Sequence, residues 1–306
     1  MSLIFVFVDG IGMGDDNVDI NPFVAYRFSS FMKMCGHQKF TKRTQRYQKN
    51  NHFFSSIDAC LGVEGLPQSG TGQVSLFTGI NAAQEVGKHF GPYPHSSTRK
   101  FLREASIFNQ FNKNGGQCYF MNAFPHIYFE QSQKKNRWSC TTLMTRKAGI
   151  SLNTIQEVIN GSAITSEFTQ EAWRTRLSID IPIIKVEEAA DRVITVAEKF
   201  DLVLVEYYLT DKAGHKQDMD HAKETLTRLD RFLLRLMEKV PKNDHTLLLT
   251  SDHGNLEDLS VKTHTRNRVP FFVLGNRIKA FYKVNSIQDV TPSCLNWYQS
   301  TNLKGG

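Results

Sequence analysis

Six residues of the 306-residue chain combine a side chain that can hold a divalent cation with a place beside an apolar run: Asp9, Asp211, His215, Asp252, His253 and His264. Their placement repeats. LIFVFV at 3–8 runs straight into Asp9-Gly10, and the apolar run at 202–206 leads to Asp211 and, four residues later, His215. TLLLT at 246–250 leads to Asp252-His253-Gly254, and His264 stands in THTRNRVP just before the last apolar run. Glycines follow Asp9, precede His215 and follow His253, where backbone must turn tightly if side chains are to converge. Carboxylate oxygens and imidazole nitrogens in such a set suit Zn²⁺, Mn²⁺ or a related ion.

Ser69 adds a possible nucleophile. It lies in LPQSGTGQVSLFTG at 66–79, a glycine-punctuated loop that opens into a helix. Backbone N–H groups at a helix start bind a phosphoryl oxygen, and a serine beside a divalent cation can lose its proton and attack phosphorus. Thr71 and Ser75 offer the same hydroxyl chemistry in the same segment.

Taken singly, each feature has an ordinary reading. Asp9-Gly10 is a turn, Asp211 and His215 a surface pair on a helix, His264 a satisfied polar residue, and Ser69 a helix cap. Those readings become improbable together, because cooperating ligand types all follow apolar strands.

The elements that must position these residues are visible in the hydrophobic pattern. Buried strands are expected at 3–8, 118–122, 202–206, 246–250 and 271–274, where apolar residues run without polar alternation. Helices are expected at 97–114, 186–199 and 218–240, the last with Ala222, Leu226, Leu229, Leu233 and Leu236 on one stripe. Such alternation predicts an α/β fold, a mostly parallel central sheet sandwiched by helices, whose ligands gather beyond the carboxyl ends of the strands. The stretch 123–182 is polar, rich in Lys, Arg, Thr and Ser, and weakly periodic. It is too long for a structureless loop and is read as a small cap inserted between core segments 1–122 and 183–306.

Composition excludes some classes. The apolar fraction is 40% and the charged fraction 22%, ordinary for a globular chain with a sizeable core. Net charge is +7, which suits an anionic small substrate as well as nucleic acid, but no nucleic-acid motif accompanies it. KFTKRTQRYQK at 39–49 reads as a solvated loop or surface helix. The five cysteines are widely spaced and form no C-x-x-C pair, so reduced thiols and a cytoplasmic location are expected. The apolar runs are too short for a signal-peptide core or a membrane span.

The order Asp-Gly, serine loop and helix, D-x-x-x-H, S-D-H-G-N and H-T resembles the alkaline phosphatase superfamily, in particular the branch of cofactor-independent phosphoglycerate mutase and phosphopentomutase. The matching segments are FVFVDGIG at 5–12, the serine loop through Gly79, LTDKAGH at 209–215, TSDHGNLED at 250–258, HTRNRVPFFVLG at 264–275 and SIQDVTPSCL at 286–295. The resemblance implies an alkaline phosphatase-like core and two divalent metal ions, Mn or Zn before Mg. One would use Asp9, Ser69, Asp252 and His253, the other Asp211, His215 and His264. It also implies that Ser69, rather than Thr71 or Ser75, is the nucleophile. The activity would be phosphoryl transfer through a phosphoserine on an anionic small-molecule phosphate ester, as phosphohydrolase or phosphomutase. The chain is much shorter than a phosphoglycerate mutase and lacks that enzyme's D-G-R-D segment. It also lacks the C/S-x-P-x-R motif of sulfatases. Basic residues of the cap (Lys134, Lys135, Arg137, Arg146, Lys147) could clamp the substrate. The competing reading is a non-catalytic metal-binding or regulatory module, which an intact nucleophile beside six ligand residues disfavours.

Overall fold

The computed structural model describes the backbone of residues 1–302 and the side chains of residues 1–300. Seven strands form one sheet: β1 (Leu3–Val8), β2 (Tyr47–Lys49), β3 (His52–Ile57), β4 (Cys118–Phe120), β5 (Leu202–Tyr207), β6 (Thr246–Thr250) and β7 (Val269–Gly275), in the spatial order β2-β3-β7-β6-β1-β5-β4. The expected apolar runs are all strands. Pairings β4–β5, β5–β1 and β1–β6 are parallel, whereas β6–β7, β7–β3 and β3–β2 are antiparallel. Only β7 and β2 therefore run against the common direction.

β1 shows why these runs lack polar alternation. Ile4, Val6 and Val8 pack into one core with the helices Val186–Ala197 and Met219–Lys239. Leu3, Phe5 and Phe7 pack into a second core on the opposite face, with the helices Ser69–Thr78, Ile107–Lys113 and Val290–Asn302. Both faces are buried, so every position is apolar. The Met219–Lys239 helix buries the expected stripe and adds Phe232 to it.

Two details differ from the sequence reading. The single helix expected at 97–114 is broken into Arg99–Glu104 and Ile107–Lys113, because Ser106 leaves helical geometry to cap the second helix through Asn109 N–H. The end of the basic 39–49 stretch is strand β2, drawn into register by pairing with β3. The stretch 123–182 contributes to two places. Cys140 and Met144 of the Cys140–Lys147 helix join the second main core, while Ala123, Val158, Ala163, Trp173 and Ile181 form a small cluster of their own. All five cysteines are free thiols. No helix among the described residues is long and apolar enough to cross a membrane.

Candidate metal centre and its serine

Adjacent parallel strands β5, β1 and β6 end at one edge of the sheet. Asp9 directly follows β1, and Asp252 and His253 follow β6 after one residue. Asp211 and His215 lie on the Leu209–Lys216 helix just beyond β5. Because β7 is antiparallel to β6, the segment before β7 starts at this same edge and brings His264 with it. Gly10 has φ +70°, and a Cβ there would stand 2.8 Å from the Asp211 Cα, so only glycine lets the two segments approach.

The side chains meet. His253 Nε2 lies 3.2 Å from Asp9 Oδ1, 3.6 Å from Asp252 Oδ2 and 3.0 Å from Ser69 Oγ. His215 Nε2 is 3.3 Å from Asp211 Oδ2, and His264 Nε2 is 3.5 Å from Asp211 Oδ1. The rings of His253 and His264 stack with centroids 3.8 Å apart. Ligand atoms of Asp9, Asp252 and His253 lie within 4.8 Å of one another, and so do those of Asp211, His253 and His264. His253 therefore stands within reach of both groups, although the resemblance gave it to the first alone.

Two observations show that the set fits divalent cations. His264 Nδ1 donates to the Pro67 carbonyl at 2.7 Å, and His215 Nδ1 to the Lys262 carbonyl at 2.8 Å. Each ring thus turns its Nε2 lone pair inward, and the two Nε2 atoms face each other at 3.3 Å. Facing lone pairs repel unless a cation stands between or beside them. Asp252 is fully buried, yet neither of its carboxylate oxygens has a hydrogen-bond partner.

The electrostatics agree. Burial raises the Asp9 carboxyl, against the pull of His253, and burial together with the Asp9 charge holds Asp252 well above the carboxylate range. Burial disfavours charge on His253, but Asp252 and Asp9 outweigh it and lift the ring to about 10. Burial and the neighbouring His253 push His264 down to about 4. Without added positive charge, the cluster cannot ionise fully.

Ser69 is the first residue of its helix, is buried, and lines a cavity of about 510 Å³ with Asp9 and Asp211. Its rivals are occupied elsewhere. Thr71 Oγ1 donates to the Gln68 carbonyl and accepts from Phe90 N–H. Ser75 Oγ donates to the Thr71 carbonyl and accepts from Ala82 N–H. Gly70, in the first turn of this helix, leaves room for the Tyr93 carbonyl, which an added Cβ would strike.

Sequence reasoning missed the supporting residues. Gln73 donates to Asp9 Oδ2 at 3.1 Å, and Asn255 donates to Asp211 Oδ1 at 2.7 Å. Glu257 accepts the Gly12 and Asn255 N–H groups, each at 2.8 Å. Asn255 and Glu257 lie inside SDHGNLED and were within sight; Gln73 is one polar residue in a helix and carried no signal.

Glu206 was also missed, because it reads as the end of an apolar strand. It lines the serine's cavity and takes a hydrogen bond from Thr141 Oγ1 to both oxygens, at 3.1 and 3.0 Å. Burial, with the Asp9 charge adding to it, pushes Glu206 up to about 8. Below about pH 4.5 Glu206 is neutral whether the chain is folded or not. Between that pH and about 8 only the unfolded chain ionises it freely, so the metal-free protein should lose stability across this window. Glu206→Gln should remove that part of the loss, by roughly a few kcal/mol at the upper end. Urea unfolding of both chains at intervals from pH 4.5 to 8.5, with chelator present, measures the difference. Parallel curves would show that Glu206 carries no such penalty.

Of the basic residues singled out in 123–182, none lines the serine's cavity. Lys134 and Lys135 are exposed, while Arg137, Arg146 and Lys147 line neighbouring cavities. The cations on the serine's cavity are Arg176 and Lys212.

The family profile described as Metalloenzyme superfamily matches residues 124–301, more than half of the chain. The chain belongs to the metalloenzyme superfamily. Among curated relatives, this metalloenzyme is 31% identical over 123 residues to the 2,3-bisphosphoglycerate-independent phosphoglycerate mutase of Ehrlichia canis, a match covering 37% of this chain and 25% of that protein. It is 29% identical over 138 residues to the protein of the same name from Malacoplasma penetrans, covering 43% and 27%. The match thus spans only about a quarter of these relatives' length. Similar folds include PH0037 of Pyrococcus horikoshii, with TM-score 0.58 and 13% identity over 100% of this chain and 98% of that one. The alkaline phosphatase of the Antarctic bacterium TAB5 has TM-score 0.53 and 12% identity over 97% and 98%. Leishmania mexicana phosphoglycerate mutase has TM-score 0.51 and 12% identity over 97% and 95%. The fold of this metalloenzyme is alkaline phosphatase-like, and its sequence relatives lie on the phosphoglycerate mutase branch.

Proposed function

We propose that the protein transfers the phosphoryl group of a small anionic phosphate ester, as a metal-dependent phosphohydrolase or phosphomutase with Ser69 as its nucleophile. The observation that carries this reading is the Ser69 hydroxyl, 3.0 Å from His253 Nε2, between the ligand cluster and an open cavity. Asp9, Asp252 and His253, with Ser69, would hold one divalent ion, and Asp211, His215 and His264 a second, with His253 within reach of both. Such ions, when bound, lower the pKa of a neighbouring hydroxyl and neutralise phosphoryl oxygens. Ser69 Oγ gives its proton to water in the cavity and forms a bond to phosphorus as the bond to the leaving oxygen breaks. The leaving oxygen takes up a proton. Water or a second hydroxyl of the substrate then accepts the phosphoryl group from Ser69. Gln73 and Asn255 fix the carboxylates by hydrogen bonds, so the ligand set is preorganised. Residues 123–182, which supply Tyr128, Trp173 and Arg176 to the cavity wall, carry specificity in this reading.

A phosphate-release screen over sugar phosphates, nucleotides and diesters, with Mn²⁺, Zn²⁺ and Mg²⁺ compared, tests the proposal. Release that needs a cation supports it. No phosphate release and no isomerised ester with any of the three ions leaves the non-catalytic metal-binding module. On the best ester, Arg176→Ala and Lys212→Ala should each raise KM about tenfold with little change in thermal stability, the effect of one lost charge-assisted contact. Unchanged KM in both would place phosphate recognition elsewhere in the cavity.

A further inference from the structure

A second cavity, of about 370 Å³, lies beside the site and has no role in the reading above. Arg99, Lys100, Arg103, Arg146 and Lys147 line it, and no carboxylate does. Lys100 is paired with Glu85 at 3.4 Å and Arg103 with Glu104 at 2.6 Å. Among the described residues, Arg99, Arg146 and Lys147 have no salt-bridge partner. The Arg146 guanidinium lies over the Trp138 ring at 3.9 Å, which holds it in place against the cavity wall. Five cations around one hollow repel each other, and an anion with several charges relieves that repulsion.

The cavity borders the site through shared wall residues. Tyr93 borders both the serine's cavity and an intermediate one, and Arg99 borders the intermediate one and the basic one. Arg137 also lines the intermediate cavity, with its guanidinium 5.9 Å from the Tyr93 ring. The Cys140–Lys147 helix gives the scale. Its cap, Ser139, lines the serine's cavity, and its last turn carries Arg146 and Lys147. Seven residues at 1.5 Å rise separate the two ends by about 10 Å. The two cavities thus lie close enough for one small molecule to reach into both.

We propose that this basic cavity is a subsite for a second phosphoryl group of the substrate, so that the preferred ester is a small bis- or polyphosphorylated compound. The proposal rests on phosphoryl transfer at Ser69. The metal-loaded full chain is assayed on alkane-α,ω-diol bisphosphates of increasing spacer length, each against the alkyl monophosphate of the same length. The monophosphates subtract whatever the apolar walls contribute. The bisphosphate-to-monophosphate ratio of kcat/KM should pass through a maximum at one spacer length rather than stay flat. Arg99→Gln with Arg146→Gln, both exposed, should cut that ratio about tenfold or more, since charge-assisted contacts are lost. Lys33→Gln, on a remote helix, removes one charge without touching the cavity and should leave the ratio in place.

A ratio near one at every length, or a ratio indifferent to the arginines, overturns the proposal. So does a rate on 5′-phosphorylated oligothymidylates that keeps growing with length and depends on the same arginines; that result makes the groove a nucleic-acid track. If no ester at all is turned over, the phosphoryl-transfer reading fails. The cavity is then judged by calorimetric titration of the metal-loaded chain with tripolyphosphate. Roughly tenfold weaker binding in the double variant supports an anion site there, and equal binding rejects it.

Discussion

Ser69→Ala is expected to lower turnover of the best phosphate ester by about a thousandfold or more. In the proposed mechanism the hydroxyl is the attacking atom and one donor to the ion that Asp9, Asp252 and His253 would hold. Three donors remain after its loss, so metal affinity should fall far less than rate. Folding should barely change: Ser69 begins its helix without capping it, and Ala is accepted at a first helical position. Thr71→Ala and Ser75→Ala behave oppositely. Each removes a hydroxyl engaged with backbone, at a stability cost of about 1 kcal/mol, but should keep turnover. Stopping the reaction in acid, digesting the chain and finding phosphate on Ser69 by mass spectrometry would support the covalent route. Phosphate on Thr71 would keep the reaction class and move the nucleophile. Full activity in Ser69→Ala would leave water as the attacking group.

Divalent cations are expected to stabilise the fold strongly, and Asp252→Asn to abolish that effect. The metal-free cluster packs three carboxylates and three imidazoles at one sheet edge, with both Asp252 oxygens unpartnered. A cation at a hundred times its dissociation constant adds about 2.7 kcal/mol to stability. Replacing Asp252 with Asn lessens carboxylate repulsion, so the metal-free variant should unfold at the same temperature as the wild type or higher. It should gain little from Mn²⁺ or Zn²⁺. Thermal unfolding with chelator and with each ion measures both effects, and elemental analysis should find up to two ions per wild-type chain. A wild-type melting temperature indifferent to every divalent ion would contradict the metal centre.

The strands were legible because both faces of β1, β5 and β6 are buried, which forces continuous apolar runs. β3 was not, because HFFSSI at its core mixes three polar residues into a short segment and owes its extended form to pairing with β7. The convergence of the proposed ligand residues was legible for a related reason: in a parallel sheet, chemistry collects just past the ends of such runs. Contact among distant segments was not. Nothing local in the sequence separates Arg176 and Lys212, which reach the serine's cavity, from Arg146 and Lys147, which line the neighbouring one. Glu206 was hidden by its own strand, and Thr141, which tethers it, belongs to a polar stretch with no readable period.

The reversed direction of β7 also bears on how the protein is made. The proposed ligands run in chain order from Asp9, just past β1, to His264, just ahead of β7. On the ribosome, β1 waits for β5 and β6 to emerge, and His264 is not in place until β7 can turn back along β6. A nascent chain stopped short of that turn has carboxylates crowded at the sheet edge without the imidazole meant to share their cation. In the proposed reading the second ion site is therefore complete only once β7 has paired with β6, and its cation acts as a latch on that assembled sheet.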